Sequence, residues 1–430
     1  MDIELILLRV GIGLAFYILR GGGRTLTSNT KTKPNINRFG EVLNETIEKY
    51  NLVKQDIADF CNVDSSIFSK LKNGGESSFE KILRIVRRIC VLTEPSKEKE
   101  LMLIYIQGIR QPKNIKCAME YSDTHNQLDE SQMLCDKAFK LANWENKLDE
   151  FAELYSLRLK RKRNNIALEE WYEEIIKCKP KTDEMKTFRS LLIMLYYHDS
   201  GKYHKILDAV TEVRVSIEEL ETNYLRFSFG MRLNQRLQAV YLHNICDFEK
   251  ARTLAIESKE NPVGRRFVAY ANLTIGLSYF HDKTSSNKAI EYLQKSVDIY
   301  LEIEEHDIAM TILEKIDFIK IFHGIDISFD TIKHQQNKAL WLILNNKQTD
   351  GLKILNDLDI SKGKNPLREY IKGLATNDVT YFWESLITYI NERGDRLYGI
   401  LPRDQLLKLG EREIAINGYY DTKKVGGRGV

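Results

Sequence analysis

Apolar positions recur along this chain at intervals of three and four residues, the spacing of one helix face, and no stretch alternates over a strand's length. The first such face is RFGEVLNETIEKY (38–50), with Phe39, Val42, Leu43, Ile47 and Tyr50 on one side. The next stretch, KQDIADFCNVDSSIFSKLKNG (54–74), predicts two short helices joined by a tight turn. Ile57, Ala58 and Cys61 form the inner face of the first. Phe68 and Leu71 form that of the second, which spans Ser65–Lys72. Between them, Asn62 tolerates the positive φ of a turn, and Asp64 can accept a backbone N–H of the second helix. Small Ala58 is expected where the two helices cross, and Asn73-Gly74-Gly75 ends the second. Ser77 and Glu80 have capping-box spacing. They open FEKILRIVRRIC, with Ile82, Ile85, Val86 and Ile89 on one side and Arg84, Arg87 and Arg88 on the other. The arginines suit either phosphate contact or a solvated face. Pro95 closes the region.

From Lys97 onward the pattern is helical almost to the end, in pairs: apolar helix, short polar turn, apolar helix. Residues 188–213 turn at Asp199-Ser200-Gly201. Residues 232–258 turn at DFEKA, and 267–300 place Gly276 where two helices touch. Residues 331–358 and 367–393 continue the pattern, the latter with Gly373. Pro112, Pro180, Pro262, Pro366 and Pro402 are expected between helices. The period lies near the roughly 34–40 residues of tetratricopeptide-like pairs, which stack into a superhelix with a concave face suited to an extended peptide. The predicted fold is therefore all-α: a helix-turn-helix head followed by a tetratricopeptide-like superhelix. The expected divisions are an extension and linker (1–35), the head (36–95), the repeats (97–411) and a polar tail (412–430).

The second helix of the head packs through apolar residues and turns hydroxyls and a cation outward, which suits the major groove of double-stranded DNA. Gln55, Ser65, Ser66, Ser69, Lys70, Lys72 and Asn73 are the candidate DNA-binding residues. A net charge of +3 over 430 residues implies a local contact patch, not a basic surface. The basic run RLKRKR (158–163) reads as an exposed helix face, or alternatively as an accessory backbone contact.

Hydrophobic content of 43% and charged content of 29% describe a globular chain. Residues 3–19 are apolar but short for a membrane span and interrupted by Arg9. They read as an upstream extension or a helix packed on the body; an anchor or a signal peptide is the alternative, though no small-x-small cleavage site follows. Six cysteines without a CxxC pair argue against zinc and a disulfide framework, and suit a reducing cytoplasm. No phosphate loop, HExxH or GxSxG occurs, so no enzyme, metal or cofactor is expected. His125, His198 and His204 sit beside turns and read as solvated. Tyr196, Tyr197, Tyr292, Trp341 and Trp383 read as core.

A head of this kind joined to such repeats resembles the peptide-sensing regulators of Gram-positive bacteria and their phages. The chain is most similar in detail to the AimR-like arbitrium receptors of temperate Bacillus phages. The resemblance rests on CAMEYSD (117–123), TDEMKTFRSLLIMLYYHDSG (182–201), RRFVAYANLTIG (265–276), YIKG (370–373) and GDRLYGILPRDQLLKLGE (394–411), in order. It implies a homodimeric transcription regulator in the bacterial host cytoplasm. Such a regulator binds an operator and blocks lysogeny until a secreted hexapeptide occupies the repeat groove. It also implies that Asn244, Arg266, Gln335, Asn365 and Asp395 line that groove. An asparagine can hold a peptide amide, Arg266 can grip a carboxylate, and Asp395 can pair a basic side chain. Outside the groove, Arg266 would make a surface ion pair and Asp395 would cap the helix that follows it. Leu277 stands where the family has an asparagine, which implies a different peptide preference. The family's leucine-rich terminal helix, which pairs subunits, has no evident counterpart. A Rap-type adaptor that captures a protein under peptide control, without binding DNA, is the alternative reading.

Overall fold

The computed structural model describes residues 36–260 and 263–421; within them every element is helical and none is a strand. The apolar stretch 3–19, the linker 21–35 and the last nine residues of the tail lie outside the described residues. No described helix is long and apolar enough to cross a membrane. The described chain divides into two compact units, one of residues 36–189 with 220–228, the other of 190–219 with 229–421.

The first unit opens with α1 (Ile36–Lys49), which buries Phe39, Leu43 and Ile47. Then come α2 (Lys54–Cys61), burying Ile57, Ala58 and Cys61, and α3 (Ser66–Lys72), burying Ile67, Phe68 and Leu71. Asn62 turns the chain with φ 50°. Asp64 Oδ1 accepts the Ser66 N–H at 2.7 Å, as the turn chemistry predicts. Ala58 is fully buried. A second close crossing, of α1 with α3, lies at Gly40, where a Cβ would stand 2.5 Å from the backbone of Leu71 and Lys72. Gly74 (φ 78°) then ends α3, with the Gly75 N–H donating to the Lys70 carbonyl at 2.8 Å.

The helix α4 (Phe79–Leu92) buries Ile82, Ile85, Val86 and Ile89 as its spacing predicts, but the capping box does not form. Asn114, 35 residues away, accepts the Phe79 N–H at 2.9 Å. Its amide donates to the Ser77 carbonyl at 2.8 Å, while Glu80 accepts the Tyr224 N–H at 3.1 Å. The Phe39 and Phe79 rings also pack tilted against Tyr105, with ring centroids 5.1 and 6.1 Å away. The helices of the head thus share one core with chain well past Pro95.

The arginines of α4 are largely occupied. Arg87 Nε lies 3.1 Å from Glu98 Oε1, and the Arg88 guanidinium lies 3.9 Å over the exposed Phe60 ring; Arg84 is exposed. Residues 158–163 are not the exposed helix face that the spacing predicts. Arg158 Nε and Lys162 Nζ turn onto the buried Asp123 carboxylate at 3.7 and 3.0 Å, and Arg163 pairs with Asp129 at 3.0 Å. Lys160 is the exposed cation of that run.

In the second unit, helices pack on their sequence neighbours from Phe248–Glu260 to Glu413–Asp421. Gly276 admits Leu293, whose side chain would lie 2.7 Å from a Cβ there. Gly373 likewise admits the Phe382 ring. Pro366 starts its helix, but Pro402 lies inside Arg396–Lys408. His198 is buried, not solvated, with Nδ1 3.1 Å from Asp199. His125 is half-buried with Nδ1 2.8 Å from the Tyr121 carbonyl, and His204 is exposed. Tyr196 is buried, and Tyr197, Tyr292, Trp341 and Trp383 are half-buried. Where the sequence reads as a polar tail, Glu413–Asp421 is a helix that buries Ile416 and Tyr420; the Tyr420 hydroxyl donates to the Arg396 carbonyl at 3.0 Å.

Because the Gly40 contact is backbone on backbone, Gly40→Ala is expected to cost about 1–3 kcal/mol through forced separation of α1 and α3. Gly230→Ala, with nothing within 4 Å of its Cβ, should be neutral or slightly stabilising. Urea unfolding midpoints of the two variants check this.

Candidate functional site

In the head, Ser66, Ser69, Lys70 and Asn73 are exposed at helical intervals of three and four residues, so they share one stripe of α3. Lys72 is exposed about 60° around the helix from Ser69, at the edge of that stripe, and half-buried Ser65 stands at the N-cap. Gln55 is exposed on α2, with its amide donating to Asp59 at 2.7 Å. The Ser66 hydroxyl and N–H hold the Asp64 carboxyl below its ordinary pKa, so the turn keeps a negative charge beside the start of α3. The buried Ile67 is the inner-face residue that the spacing missed.

The candidate groove residues all belong to the second unit. The helix there widens into a π-turn, Val240–Ile245, and the chain reverses at Cys246 with φ 59°. This brings His243 Nδ1 to 3.2 Å from Asp395 Oδ1. It also lets the Asn244 amide donate to the Gly394 carbonyl at 3.2 Å, across 150 residues of sequence. Asp395 is buried and accepts the Tyr398 N–H at 3.3 Å, capping Arg396–Lys408. The Tyr398 hydroxyl in turn accepts from Lys315 Nζ at 3.1 Å. Burial pushes the Lys315 ammonium down to about 8, against the opposing pull of Asp395 and Glu314. Asn244 and Asp395 therefore share one polar centre with His243, Tyr398 and Lys315.

Arg266 is buried, with Nε 3.3 Å from Glu305 Oε2, so its ion pair is internal. Asn365 is buried and caps its own helix, accepting the Leu367 N–H at 2.9 Å. Gln335 begins the helix Gln335–Leu344 and is exposed, whereas Gln336 beside it is buried. His334 Nε2 lies 4.0 Å from Glu314 Oε2, and Asn337 donates to the Glu314 carbonyl at 2.8 Å. Sequence reading missed His243, Glu314, Lys315, His334 and Gln336. A lysine and a glutamate inside the apolar pattern of 306–323 are the signal that marks two of them.

The sequence model of the AimR transcriptional regulator-like family matches residues 98–408. The chain belongs to that family. The AimR family is one of transcription regulators, and the match begins after the helix-turn-helix segment. The chain is 29% identical over 355 residues to the AimR transcriptional regulator of Bacillus phage phi3T, covering 80% of this chain and 90% of the relative. It is 24% identical over 363 residues to the AimR transcriptional regulator of Bacillus phage SPbeta, covering 83% and 89%. The solved phAimR in its selenomethionine form has a TM-score of 0.67 at 20% identity, over 89% of this chain and all of that one. A phAimR–ligand structure has a TM-score of 0.63 at 23% identity, over 78% and 98%. These two likenesses establish a shared helical fold.

Lys315 gives this AimR-family chain a pH signature. Its folded pKa, about 8, lies below the ordinary 10.5. Between these values the unfolded state binds more protons, so this lysine makes stability rise with pH. Urea midpoints of wild type minus Lys315→Met, measured from pH 7.5 to 10.5, should climb through that window; a flat difference would contradict the buried cation.

Proposed function

We propose that this chain is a peptide-responsive, DNA-binding transcription regulator acting in the lysis–lysogeny decision of a temperate Bacillus phage. Membership of the AimR family supports regulation. DNA binding rests on one observation: the exposed stripe of Ser66, Ser69, Lys70 and Asn73 on a helix whose other face is buried. Hydroxyl, amide and ammonium groups at that spacing can reach base edges and phosphates from the major groove. Gln55, Ser65 and Lys72 flank the stripe as contacts to the backbone. A homodimer would read half-sites about 34 Å or a multiple apart.

A short peptide, of hexapeptide size in this reading, occupies the second unit and switches operator binding in the host cytoplasm. Asn244 and Asp395, tied together at the π-turn, are its polar centre, and Arg266, Gln335 and Asn365 its flanks. The known ligand complex of a protein with the same fold supports such a site.

Mobility-shift assays on DNA flanking the gene test this reading, with and without the peptide encoded by the adjoining small reading frame. Wild type should retard at least one upstream fragment and release it with peptide. Ser66→Ala with Lys70→Ala should weaken retardation about 10-fold to 100-fold, and Lys70→Ala alone should reduce the salt slope by about one ion. Retention of full activity by the double variant, with no retardation by either protein, would favour an adaptor instead.

A further inference from the structure

Several buried carboxylates of the second unit, Glu369 and Asp395 among them, have an oxygen that accepts no hydrogen bond among the described residues, and Glu314 differs from these in facing a histidine across a 4.0 Å gap. Asp395 already has His243, the Tyr398 N–H and the nearby Lys315. Glu314 Oε2 is shut off from solvent yet accepts no hydrogen bond among the described residues. Its facing ring, His334, has Nδ1 in the same condition, and the side-chain amide of Gln336, 1% exposed, lacks a partner for both its atoms. Four such atoms lie on Glu314 and on the N-cap and first turn of the helix packed against its own, whereas buried polar groups ordinarily find partners.

The geometry defines what is absent. Glu314 Oε2 and His334 Nε2 are 4.0 Å apart, too far to bond each other. A single nitrogen about 2.8 Å from each would subtend an angle of roughly 90° between them, a normal arrangement for an amine or guanidinium donor. Both side chains are half-buried, so parts of each meet solvent although Glu314 Oε2 itself does not.

We propose that Glu314 and His334 form a subsite, beside Gln336, that takes a cationic N–H donor of the bound peptide, with Glu314 as its counter-ion. This rests on the reading of the second unit as a peptide receptor. The donor is either the free amino terminus or a lysine or arginine side chain.

The electrostatics agree. Burial pushes the Glu314 carboxyl up to about 7, against Lys315 on its own helix and Lys362 at the end of Gln348–Lys362, with Asp317 adding to the rise. Burial, with Lys362 and Arg368 nearby, brings His334 down to about 4, so its ring is neutral and keeps an acceptor nitrogen. Lys315 is committed to Tyr398, and Arg368 is held by Asp359 and the Gly363 carbonyl. Half-buried Lys362 is the chain's own competing cation. A ligand cation displaces the carboxyl proton, so binding strengthens as pH rises through 7.

The test begins with affinity selection by the full chain from a synthetic hexapeptide library with free amino termini. The strongest binder is then resynthesised with its amino terminus acetylated, or with citrulline or norleucine for its basic residue. Calorimetry should show about tenfold weaker binding for one of these forms, which identifies the donor. Wild type should bind the parent peptide about tenfold more tightly at pH 8 than at pH 6, whereas Glu314→Gln should bind weakly with a flat profile. Equal affinity and an equal profile in Glu314→Gln would overturn the subsite. So would indifference of wild type to every peptide modification, a result that holds even if the variant misfolds. Absence of any hexapeptide binder would overturn the receptor reading itself, and the subsite with it.

Discussion

The contact between His243 and Asp395 is the constraint on which the second unit turns. It closes a π-turn against a loop far along the chain, and the same carboxylate caps the helix Arg396–Lys408. A carboxylate buried so deeply must be supplied with donors or become protonated. The chain supplies it from three directions: an imidazole, a backbone N–H and the field of Lys315. Helix stacking sets the positions of these donors, and they in turn fix the loops that carry Asn244 and Gly394. Packing and polar chemistry are thus one problem here, since Asn244 and Asp395, residues of the proposed peptide site, also hold distant segments together.

The helices were legible because their apolar spacing is local. Phe39, Leu43 and Ile47, or Ile57, Ala58 and Cys61, are buried as their intervals require. The turn at Asn62 and the close contact at Gly276 follow from single-residue chemistry. What escaped depends on distant partners. Ser77 and Glu80 have the spacing of a cap, but Asn114 arrives from another helix and takes the position. RLKRKR looks like a solvated face until Asp123 draws Arg158 and Lys162 inward. The segment EIAINGYYD looks polar, yet Ile416 and Tyr420 suffice to dock a helix.

The candidate sites divide in the same way. The stripe on α3 could be read from the sequence because exposure follows directly from helical phase. At the QQN segment, one residue of phase decides the outcome: Gln335 faces out and Gln336 faces in, about 100° further round the helix. Family resemblance located Asn365 and Arg266, while only the structure revealed that one caps a helix and the other meets Glu305. Lys315 and Glu314, adjacent on one helix, face different polar groups, a division of labour that periodicity alone does not resolve.

The backbone contact at Gly40 has an evolutionary corollary. It anchors α3 through main-chain atoms of Leu71 and Lys72, so the helix is not held there by its outward side chains, of which Ser66 is tied to the turn through Asp64. On the proposed reading, a related phage could therefore exchange Ser69, Lys70 or Asn73 for other polar residues at little cost to folding. Operator preference could then diverge between lineages while the scaffold beneath it stays still.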